Sequence, residues 1–341
     1  MMLPLQAEIE ERIFHFKQPA GTSRGVYHTR KSWFVTLTDA EGNTGTGECA
    51  PLPNLSCDDI PNYAEVLSHH CQALETSGEI PYENLRPYSS MLFGIETALL
   101  HLKSKGLRFY DTPWSQGEEG IPINGLVWMG TMEEMKERLS DKLENGFSCV
   151  KLKIGVDFDE ELKLLEYVRS RYNSTQVQLR VDANGAFSVD EAEKCLERLL
   201  HFDLHSIEQP IRAGQRQDMA RLCRKAQLPI ALDEELIGVN TPDEKEHLLD
   251  EIKPSYLVLK PSLHGGILGT IEWVEMARKR GIGTWITSAL ESNVGLHAIA
   301  QLTAHLYGSN ISMAQGLGTG LLFTDNVDMP IYIKGQHIWH S

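Results

Sequence analysis

The sequence predicts an α/β fold: a modified TIM-type β/α barrel behind a smaller N-terminal α+β capping domain. From about residue 121, short apolar segments typical of buried strands alternate with amphipathic helical segments. The first 118 residues lack that alternation, because longer segments rich in β-branched and aromatic residues come first and helical patterns follow. A chain of 341 residues has room for one barrel and one smaller domain.

The capping domain is expected over residues 1–118. Its predicted elements, two strands and then two helices, are Ala7–Phe16, Ser32–Leu37, Tyr63–Leu74 and Ser90–Leu102. Two glycine-containing segments, Gly21–Gly25 and Gly47–Pro53, are predicted as loops.

The barrel is expected over residues 119–320. Its eight predicted strands are Ile121–Trp128, Cys149–Ile154, Gln178–Ala183, His205–Pro210, Ile230–Glu235, Tyr256–Ser262, Thr284–Ala289 and Met313–Gly316. A helical pattern follows each of the first seven, whereas a glycine-rich polar segment follows the eighth. The sequence therefore predicts about seven complete β/α units plus an eighth strand. Residues 321–341 are expected to return to the cap and complete it.

Charge and composition exclude several classes of protein. The chain has 32 lysines and arginines against 47 acids, a formal net charge of −15, which disfavours binding to nucleic acid or anionic membranes. No segment approaches the roughly 18 apolar residues of a membrane span, and the N-terminus lacks the basic start of a signal peptide. The six cysteines include no C-x-x-C pair and are interpreted as reduced thiols. These features predict a cytoplasmic protein and leave its oligomeric state open.

Charged residues recur where the predicted barrel strands end. In chain order they are Lys151 and Lys153, Asp182, Glu208, Asp233 and Lys260. From Lys153 onward they are separated by 25 to 29 residues, which is about the length of one β/α unit. Because catalytic residues of β/α barrels lie at the carboxyl ends of the strands, these side chains are expected to converge.

The convergence itself predicts a chemistry. Three carboxylates at one point repel each other unless a cation joins them, and oxygen ligands favour a hard divalent ion such as Mg²⁺. A lysine acts as a base only when neutral, and a neighbouring ammonium such as that of Lys151 favours the neutral form. Each residue alone could be a helix cap or a surface charge. The recurrence of these six residues at five strand ends favours a functional site.

Other candidate residues carry weaker signals. Ser288 and Glu291 follow the seventh predicted strand, level with Lys260, and are expected to line the site. The segment Gly316–Gly320 is interpreted as a tight loop beside the site, because it lacks the lysine of a phosphate-binding loop. Three histidines without ligand spacing are interpreted as loop or helix-surface residues: His264, His297 and His305.

The ordered set K-x-K, D-x-N, E-Q-P, D-E and K-P-S resembles the enolase superfamily, and within it the muconate lactonizing enzyme subgroup. Four further segments resemble the o-succinylbenzoate synthase family of that subgroup: T-S-R-G-V-Y, G-E-C-A-P-L-P-N, L-K-P-S-L-H-G-G and G-L-G-T-G-L-L-F-T-D-N. The resemblance covers nearly the whole chain. It implies a capped barrel with a Mg²⁺ site, for which Mn²⁺ is the expected substitute.

The resemblance also implies roles for individual residues. Asp182, Glu208 and Asp233 would be the metal ligands, and Lys151, Asn184 and Glu234 would support them. Lys153 would remove the proton α to the substrate carboxylate, and Lys260 would be a cation on the opposite face. The implied substrate-binding residues are Arg24, Ser262, Gly265, Ser288 and Glu291, with Arg24 facing the succinyl carboxylate.

The implied reaction is that of a carbon–oxygen lyase acting on a small carboxylate substrate. It is the Mg²⁺-dependent syn dehydration of 2-succinyl-6-hydroxy-2,4-cyclohexadiene-1-carboxylate to 2-succinylbenzoate in menaquinone biosynthesis, through an enediolate. One alternative is an N-acylamino acid (N-succinylamino acid) racemase, which would use the same two lysines from opposite faces. Another is a catalytically inactive barrel that acts as a binding protein.

Overall fold

The computed structural model describes residues 4–22, 25–127 and 130–341. The chain begins with a three-stranded antiparallel sheet in the order β1-β2-β3, formed by Gln6–Thr22, Gly25–Thr38 and Thr44–Cys49. Alternate side chains of β2 face the interior, among them Arg30, Ser32 and Phe34, as the two-residue period of a strand requires. The predicted strands are confirmed but longer, and β3 overlaps a segment predicted as a loop.

Three helices cover one face of this sheet: α1 (Tyr63–Ser77), α2 (Tyr82–Leu85) and α3 (Ser89–Ser104). Helix α3 lies unusually close to β3, since a Cβ atom added at Gly47 would stand 1.9 Å from the carbonyl oxygen of Gly94. Glycine at this position therefore allows the helix and the strand to make direct backbone contact. Leu37, Leu67 and Ile95 are fully buried in the core between them.

The second part of the chain is a curved, parallel, seven-stranded sheet whose strands neighbour each other in chain order. Its strands are β5 (Gly125–Val127), β6 (Cys149–Lys153), β7 (Gln178–Asp182), β8 (Ser206–Glu208), β9 (Ile230–Leu232), β10 (Tyr256–Leu259) and β11 (Gly283–Ile286). The intervening and following helices are α4 (Met132–Glu144), α5 (Phe158–Arg169), α6 (Val189–Leu199), α7 (Arg216–Lys225), α8 (Pro242–Ile252), α9 (Gly266–Lys279) and α10 (Asn293–Tyr307). This architecture confirms the predicted fold class.

The eighth predicted strand is reduced to two bridging residues. Gln315 pairs with Ile123, and Gly316 pairs with Thr287 after β11, so this short segment joins the two edges of the sheet. A Cβ atom at Gly316 would lie 2.0 Å from Thr287 Oγ1, so the close approach requires glycine. The ring of strands is thus closed by backbone hydrogen bonds of only two residues, Gln315 and Gly316.

The C-terminal segment contacts both parts of the molecule. Residues 322–324 return to β1, where Lys17 N donates to Leu322 O at 2.8 Å and Thr324 N donates to His15 O at 2.9 Å. The chain then forms the hairpin β12–β13 (Ile331–Lys334 and His337–His340), and β13 pairs with β4 (Ile121–Pro122). The return to the cap is therefore made by residues 322–324, whereas the predicted terminal strand lies against the start of the barrel.

Buried polar residues of the cap bond to the barrel across the contact between them. Glu48 on β3 accepts hydrogen bonds from Ser292 N, Ser292 Oγ and Gly295 N at 2.6 to 3.0 Å, and so satisfies the N-terminus of α10. Glu96 on α3 accepts from Ile267 N at 2.5 Å and Leu268 N at 3.0 Å, at the N-terminus of α9. Each carboxylate meets the positive end of a helix, which fixes the cap on the barrel.

In the part of the chain that the structure describes, no helix is both long enough and apolar enough to cross a membrane. The proposed limits of the capping domain, the barrel and the C-terminal segment remain predictions.

Asp58 generates a prediction about stability and pH. Its carboxylate is fully buried and accepts hydrogen bonds from Ser90 N, Ser90 Oγ and Met91 N in the first turn of α3. Burial raises the pKa of Asp58 to about 6 against the opposing effect of these hydrogen bonds. A raised carboxyl pKa stabilises the folded state at low pH, and that contribution is lost as the pH rises through about 6.

Asp58→Asn removes this titration. Between pH 7 and pH 4 the wild-type protein should therefore gain about 1–3 kcal/mol of unfolding free energy relative to the variant, since one pKa unit corresponds to about 1.4 kcal/mol. Urea unfolding at several pH values measures the difference, with the exposed Asp243→Asn as the control. Parallel stability curves for wild type and Asp58→Asn would contradict the prediction.

Candidate active site

The register of the parallel strands aligns the charged residues. Lys153 pairs with Asp182 on the neighbouring strand, and Asp182 pairs with Glu208 on the next. Glu208 pairs with Ala231, so Asp233 stands two residues further along the chain, directly after β9. An offset between neighbouring strands is typical of a barrel. The carboxyl ends of the strands therefore place these side chains around one central space.

Lys151 lies between two of the carboxylates. Its ammonium donates to Asp182 Oδ2 at 3.1 Å and to Glu208 Oε2 at 2.9 Å, and its side chain is only 13% exposed. Burial opposes charge on this ammonium, but the two carboxylates outweigh that effect and raise the pKa of Lys151. Lys151 is therefore the shared counter-ion of both acids. Its position in the sequence does not indicate this direct contact.

The carboxylates themselves respond in different ways to this environment. Burial opposes charge on Asp182, yet Lys151 and Lys153 hold its pKa well below the usual range. Burial and then repulsion by Asp182 raise the pKa of Glu208 to about 8. The protonation state of each acid and lysine at the strand ends therefore depends on the charges of its neighbours.

Lys153 is oriented by an amide. Its ammonium donates to Asn184 Oδ1 at 2.6 Å and lies 3.8 Å from Asp182 Oδ2. Asn184 has a positive φ of 44° and donates through Nδ2 to Glu234 Oε1 at 3.0 Å. Burial, followed by the charge of Asp233, raises the pKa of Glu234 to about 7. Asn184 thus connects the lysine of one strand to an acid that follows another.

Lys260 forms the second ammonium–carboxylate contact of the site. Its Nζ donates to Asp233 Oδ2, and Asp233 is fully buried. Burial opposes charge on Lys260, but Asp233 and Glu208 outweigh it and raise the pKa of the lysine. His264, predicted as a loop or helix-surface residue, lies in the turn after β10 and is buried beside these two residues, and burial lowers the pKa of its ring to about 3.

The carboxylates of the site are oxygen donors of the kind that a divalent ion needs. Within residues 4–22, 25–127 and 130–341, no three His, Cys, Asp or Glu side chains are grouped as metal ligands, and each of the three carboxylates is paired with an ammonium group. The chemistry of the donors nevertheless fits Mg²⁺. Asp182, Glu208 and Asp233 supply only oxygen, and Asp233 Oδ1 is buried with no hydrogen-bond partner in the described structure.

A cavity of about 1160 Å³ opens at this end of the barrel. Its inner wall includes Lys151, Lys153, Asp182, Asn184, Glu234 and Lys260. The cap contributes Gln18, Pro19, Leu52 and Leu55, and the segment after Gly316 contributes Gly318, Thr319, Leu321 and Leu322. The cavity is therefore polar and charged where the strands end and more apolar toward the cap.

The predicted substrate-binding residues occupy different places. Ser288 lines the cavity, and its hydroxyl is 2.7 Å from that of Thr319. Ser262 and Glu291 are buried and bonded to each other at 2.5 Å, and neither lines the cavity. Gly265 also lies away from the cavity, where its N–H donates to Ser89 Oγ of the cap at 3.1 Å. Arg24 lies outside the described residues.

Arg30 is a residue near the cavity that sequence reasoning missed. Its buried guanidinium donates to the carbonyl oxygens of Ala50 and Pro51 in the cap and to those of Ala289 and Leu290 after β11. It thereby holds together two segments that line the cavity. The alternation of β2 indicates only that Arg30 faces inward. A buried guanidinium has five N–H donors that need acceptors, but the sequence does not show which carbonyl oxygens supply them.

Residues 134–337 match the enolase C-terminal domain-like family. The chain belongs to this family. The resemblance to the enolase superfamily drawn from the motifs is thus confirmed.

Relatives of known activity cover almost the whole chain. It is 44% identical to an o-succinylbenzoate synthase of Desulfotalea psychrophila, over 94% of this chain and 95% of that protein. The crystal structure of MenC from the same organism superimposes with a TM-score of 0.84 at 37% identity, covering 99% of this chain and all of that one. An N-succinyl-L-Arg/Lys racemase of Bacillus cereus is 24% identical over 82% of this chain and 79% of its own.

We expect the two hydrogen bonds of Asn184 to be needed for turnover. Asn184→Leu removes both the acceptor of Lys153 and the donor to Glu234 without a large change of volume. Hydrogen bonds to charged groups are worth about 1.5–3 kcal/mol, so kcat should fall about 10- to 100-fold while KM changes little.

The measurement is steady-state turnover of 2-succinyl-6-hydroxy-2,4-cyclohexadiene-1-carboxylate, followed by absorbance. Asn310→Leu is the matched control, because Asn310 is exposed and, like Asn184, has a positive φ, of 58°. An unchanged kcat in folded Asn184→Leu would show that Lys153 does not need this amide.

Proposed function

We propose that this chain is an o-succinylbenzoate synthase, a hydro-lyase that converts 2-succinyl-6-hydroxy-2,4-cyclohexadiene-1-carboxylate to 2-succinylbenzoate in menaquinone biosynthesis. The observation that carries the proposal is a cavity at the carboxyl ends of the barrel strands that is lined by three lysines, Asp182 and Glu234, with Glu208 and Asp233 paired to two of these lysines. The similarity to an o-succinylbenzoate synthase over nearly the whole chain supplies the reaction. A cytoplasmic location agrees with this assignment.

Asp182, Glu208 and Asp233 would hold a Mg²⁺ ion, with Mn²⁺ as a substitute. When bound, such an ion neutralises negative charge on a substrate carboxylate and so favours loss of the neighbouring proton. Lys151, which already pairs with Asp182 and Glu208, would keep these acids oriented and limit their mutual repulsion. Glu234 would act through Asn184 rather than as a ligand.

Lys153 would transfer the protons. In its neutral form Nζ takes the proton from the carbon α to the carboxylate, and the C–H electron pair is retained in the enediolate. As the ring becomes aromatic, the C–O bond breaks and the protonated Nζ gives its proton to the leaving hydroxide, which departs as water. One lysine suffices for both transfers because a syn elimination removes both groups from the same face.

Lys260 would stabilise negative charge from the other side of the cavity. It follows β10, whereas Lys153 ends β6, and it pairs with Asp233, so it can remain an ammonium throughout the reaction. Positively charged groups held in place before reaction stabilise developing charge at low reorganisation cost. Ser288 in the cavity wall and Arg24 in the cap would contact the substrate, with Arg24 facing the succinyl carboxylate.

A racemase of N-succinylamino acids is the second candidate. It is favoured by one specific observation, the presence of a lysine at two separate strand ends of the same cavity, Lys153 and Lys260. Such a pair can exchange a proton from either face of an α-carbon. The two activities make different demands on Lys260, which allows them to be distinguished.

The first test concerns the metal. Asp182→Asn or Asp233→Asn should lower turnover by at least about 100-fold while the protein still folds, because each removes one charged oxygen donor from the proposed Mg²⁺ site. Turnover is followed by absorbance, Mn²⁺ binding by electron paramagnetic resonance, and folding by thermal unfolding. The exposed Asp190→Asn is the control. Near wild-type activity in either variant, or after exhaustive chelation, would refute the metal assignment.

The second test separates the two lysines. Lys153→Ala should abolish dehydration, since general acid–base catalysis is worth roughly 10²–10⁴-fold and both transfers depend on this group. Lys260→Arg keeps the positive charge but cannot act as a base, so it should retain part of the dehydration activity.

Both variants are assayed for dehydration and for hydrogen exchange at the α-carbon of an N-succinylamino acid. Lys163→Ala, at an exposed position on α5, controls for loss of a lysine. Dehydration that survives in Lys153→Ala would exclude Lys153 as the base. Loss of both activities in Lys260→Arg would contradict a purely electrostatic role for Lys260.

A further inference from the structure

His264 makes two hydrogen bonds to the main chain of Lys260. The backbone N–H of His264 donates to the backbone oxygen of Lys260 at 2.9 Å, and the backbone N–H of Lys260 donates to Nδ1 of the His264 ring at 2.9 Å. The ring is 1% exposed, in the turn that follows β10. One residue therefore fixes both the N–H and the C=O of the lysine that bears the second ammonium of the site.

The second of these bonds defines the tautomer of the ring. A backbone N–H can only donate, so Nδ1 must present its lone pair, and the hydrogen of the neutral ring is on Nε2. That Nε2 lies 3.9 Å from Asp233 Oδ1. The ring thus points its N–H side at the carboxylate that pairs with Lys260.

Both atoms that face each other are unsatisfied. His264 Nε2 and Asp233 Oδ1 are buried, and neither makes a hydrogen bond of normal geometry among the described residues, although the ring also faces the main chain of Asp233. Buried polar atoms without partners are unfavourable, and a shift of about 1 Å would bring this pair to hydrogen-bond distance. Each carboxylate oxygen has two acceptor positions, so such a bond leaves Asp233 Oδ1 able to contact a cation.

We propose that His264 is a positioning residue, which as its Nε2–H tautomer holds the main chain of Lys260 and orients the carboxylate of Asp233 toward a divalent ion. The inference rests on the proposed function for the identity of the ion and of the reaction. The contacts themselves need only the geometry of β9, β10 and the turn after β10.

Two substitutions separate the two sides of the ring. His264→Asn places an amide oxygen near the position of Nδ1 and leaves nothing at Nε2, whereas His264→Gln places its amide near the position of Nε2. His247→Gln is the matched control, because His247 is exposed on α8. Mn²⁺ affinity is measured without substrate by electron paramagnetic resonance. Thermal unfolding, kcat and KM are measured in parallel.

We expect His264→Asn to lower Mn²⁺ affinity and kcat by about 10- to 100-fold with little change in KM, as is typical when a group that orients a metal ligand is lost. His264→Gln should recover part of the Mn²⁺ affinity, and His247→Gln should match wild type. Nitrogen-15 resonances of the wild-type ring should show the neutral Nε2–H form.

Wild-type Mn²⁺ affinity and kcat in His264→Asn would overturn the inference, and so would an Nδ1–H ring in the wild-type protein. If His264→Asn does not fold, the ring tautomer and the Mn²⁺ affinity of His264→Gln decide: the Nε2–H form with affinity within about tenfold of wild type supports the inference. Lowered Mn²⁺ affinity in a chain that does not dehydrate the cyclohexadiene substrate would refute the proposed function and leave this inference intact.

Discussion

Charges buried at the ends of the barrel strands must neutralise one another, and the geometry of the site follows from this constraint. Asp182 and Glu208 share the ammonium of Lys151, while Asp233 pairs with Lys260. An uncompensated charge at such depth costs several kcal/mol, so no member of the group is independent of the others. The lysines and acids therefore form one electrostatic unit, in which the effects of substitutions are not expected to add.

The same constraint determines how the cap is seated. Glu48 and Glu96 are buried acids of the cap whose donors are amides at the N-termini of α10 and α9. Arg30 is a buried cation of the cap whose acceptors include carbonyl oxygens of the barrel. Because these groups are satisfied only when the cap is in place, its orientation is fixed. Leu52, carried by the segment that Arg30 holds, is consequently fixed relative to the catalytic end of the barrel.

Regular spacing made much of this site predictable, because each β/α unit returns the chain to the same end of the barrel. Spacing does not determine the direction of a side chain. Ser262 and Glu291, predicted as substrate-binding residues, bond to each other here, and their role in binding stays a prediction. The role of Lys151 depends on distances across the barrel, and that of His264 on a turn that brings its ring back to the main chain of Lys260. A single histidine outside any repeat carries no such information in the sequence.

The short eighth strand frees the residues that follow it to form part of the cavity wall. Its hydrophobic pattern predicts a full strand, but the chain needs only two residues to close the ring and then leaves it to reach β1. The segment after Gly316 therefore becomes a wall of the cavity, together with Leu52 and Leu55 of the cap. None of these residues belongs to the charged group, so the wall can change without disturbing the charge pairing beneath it. Relatives named as a synthase and as a racemase are accordingly expected to differ in this wall more than at the strand ends.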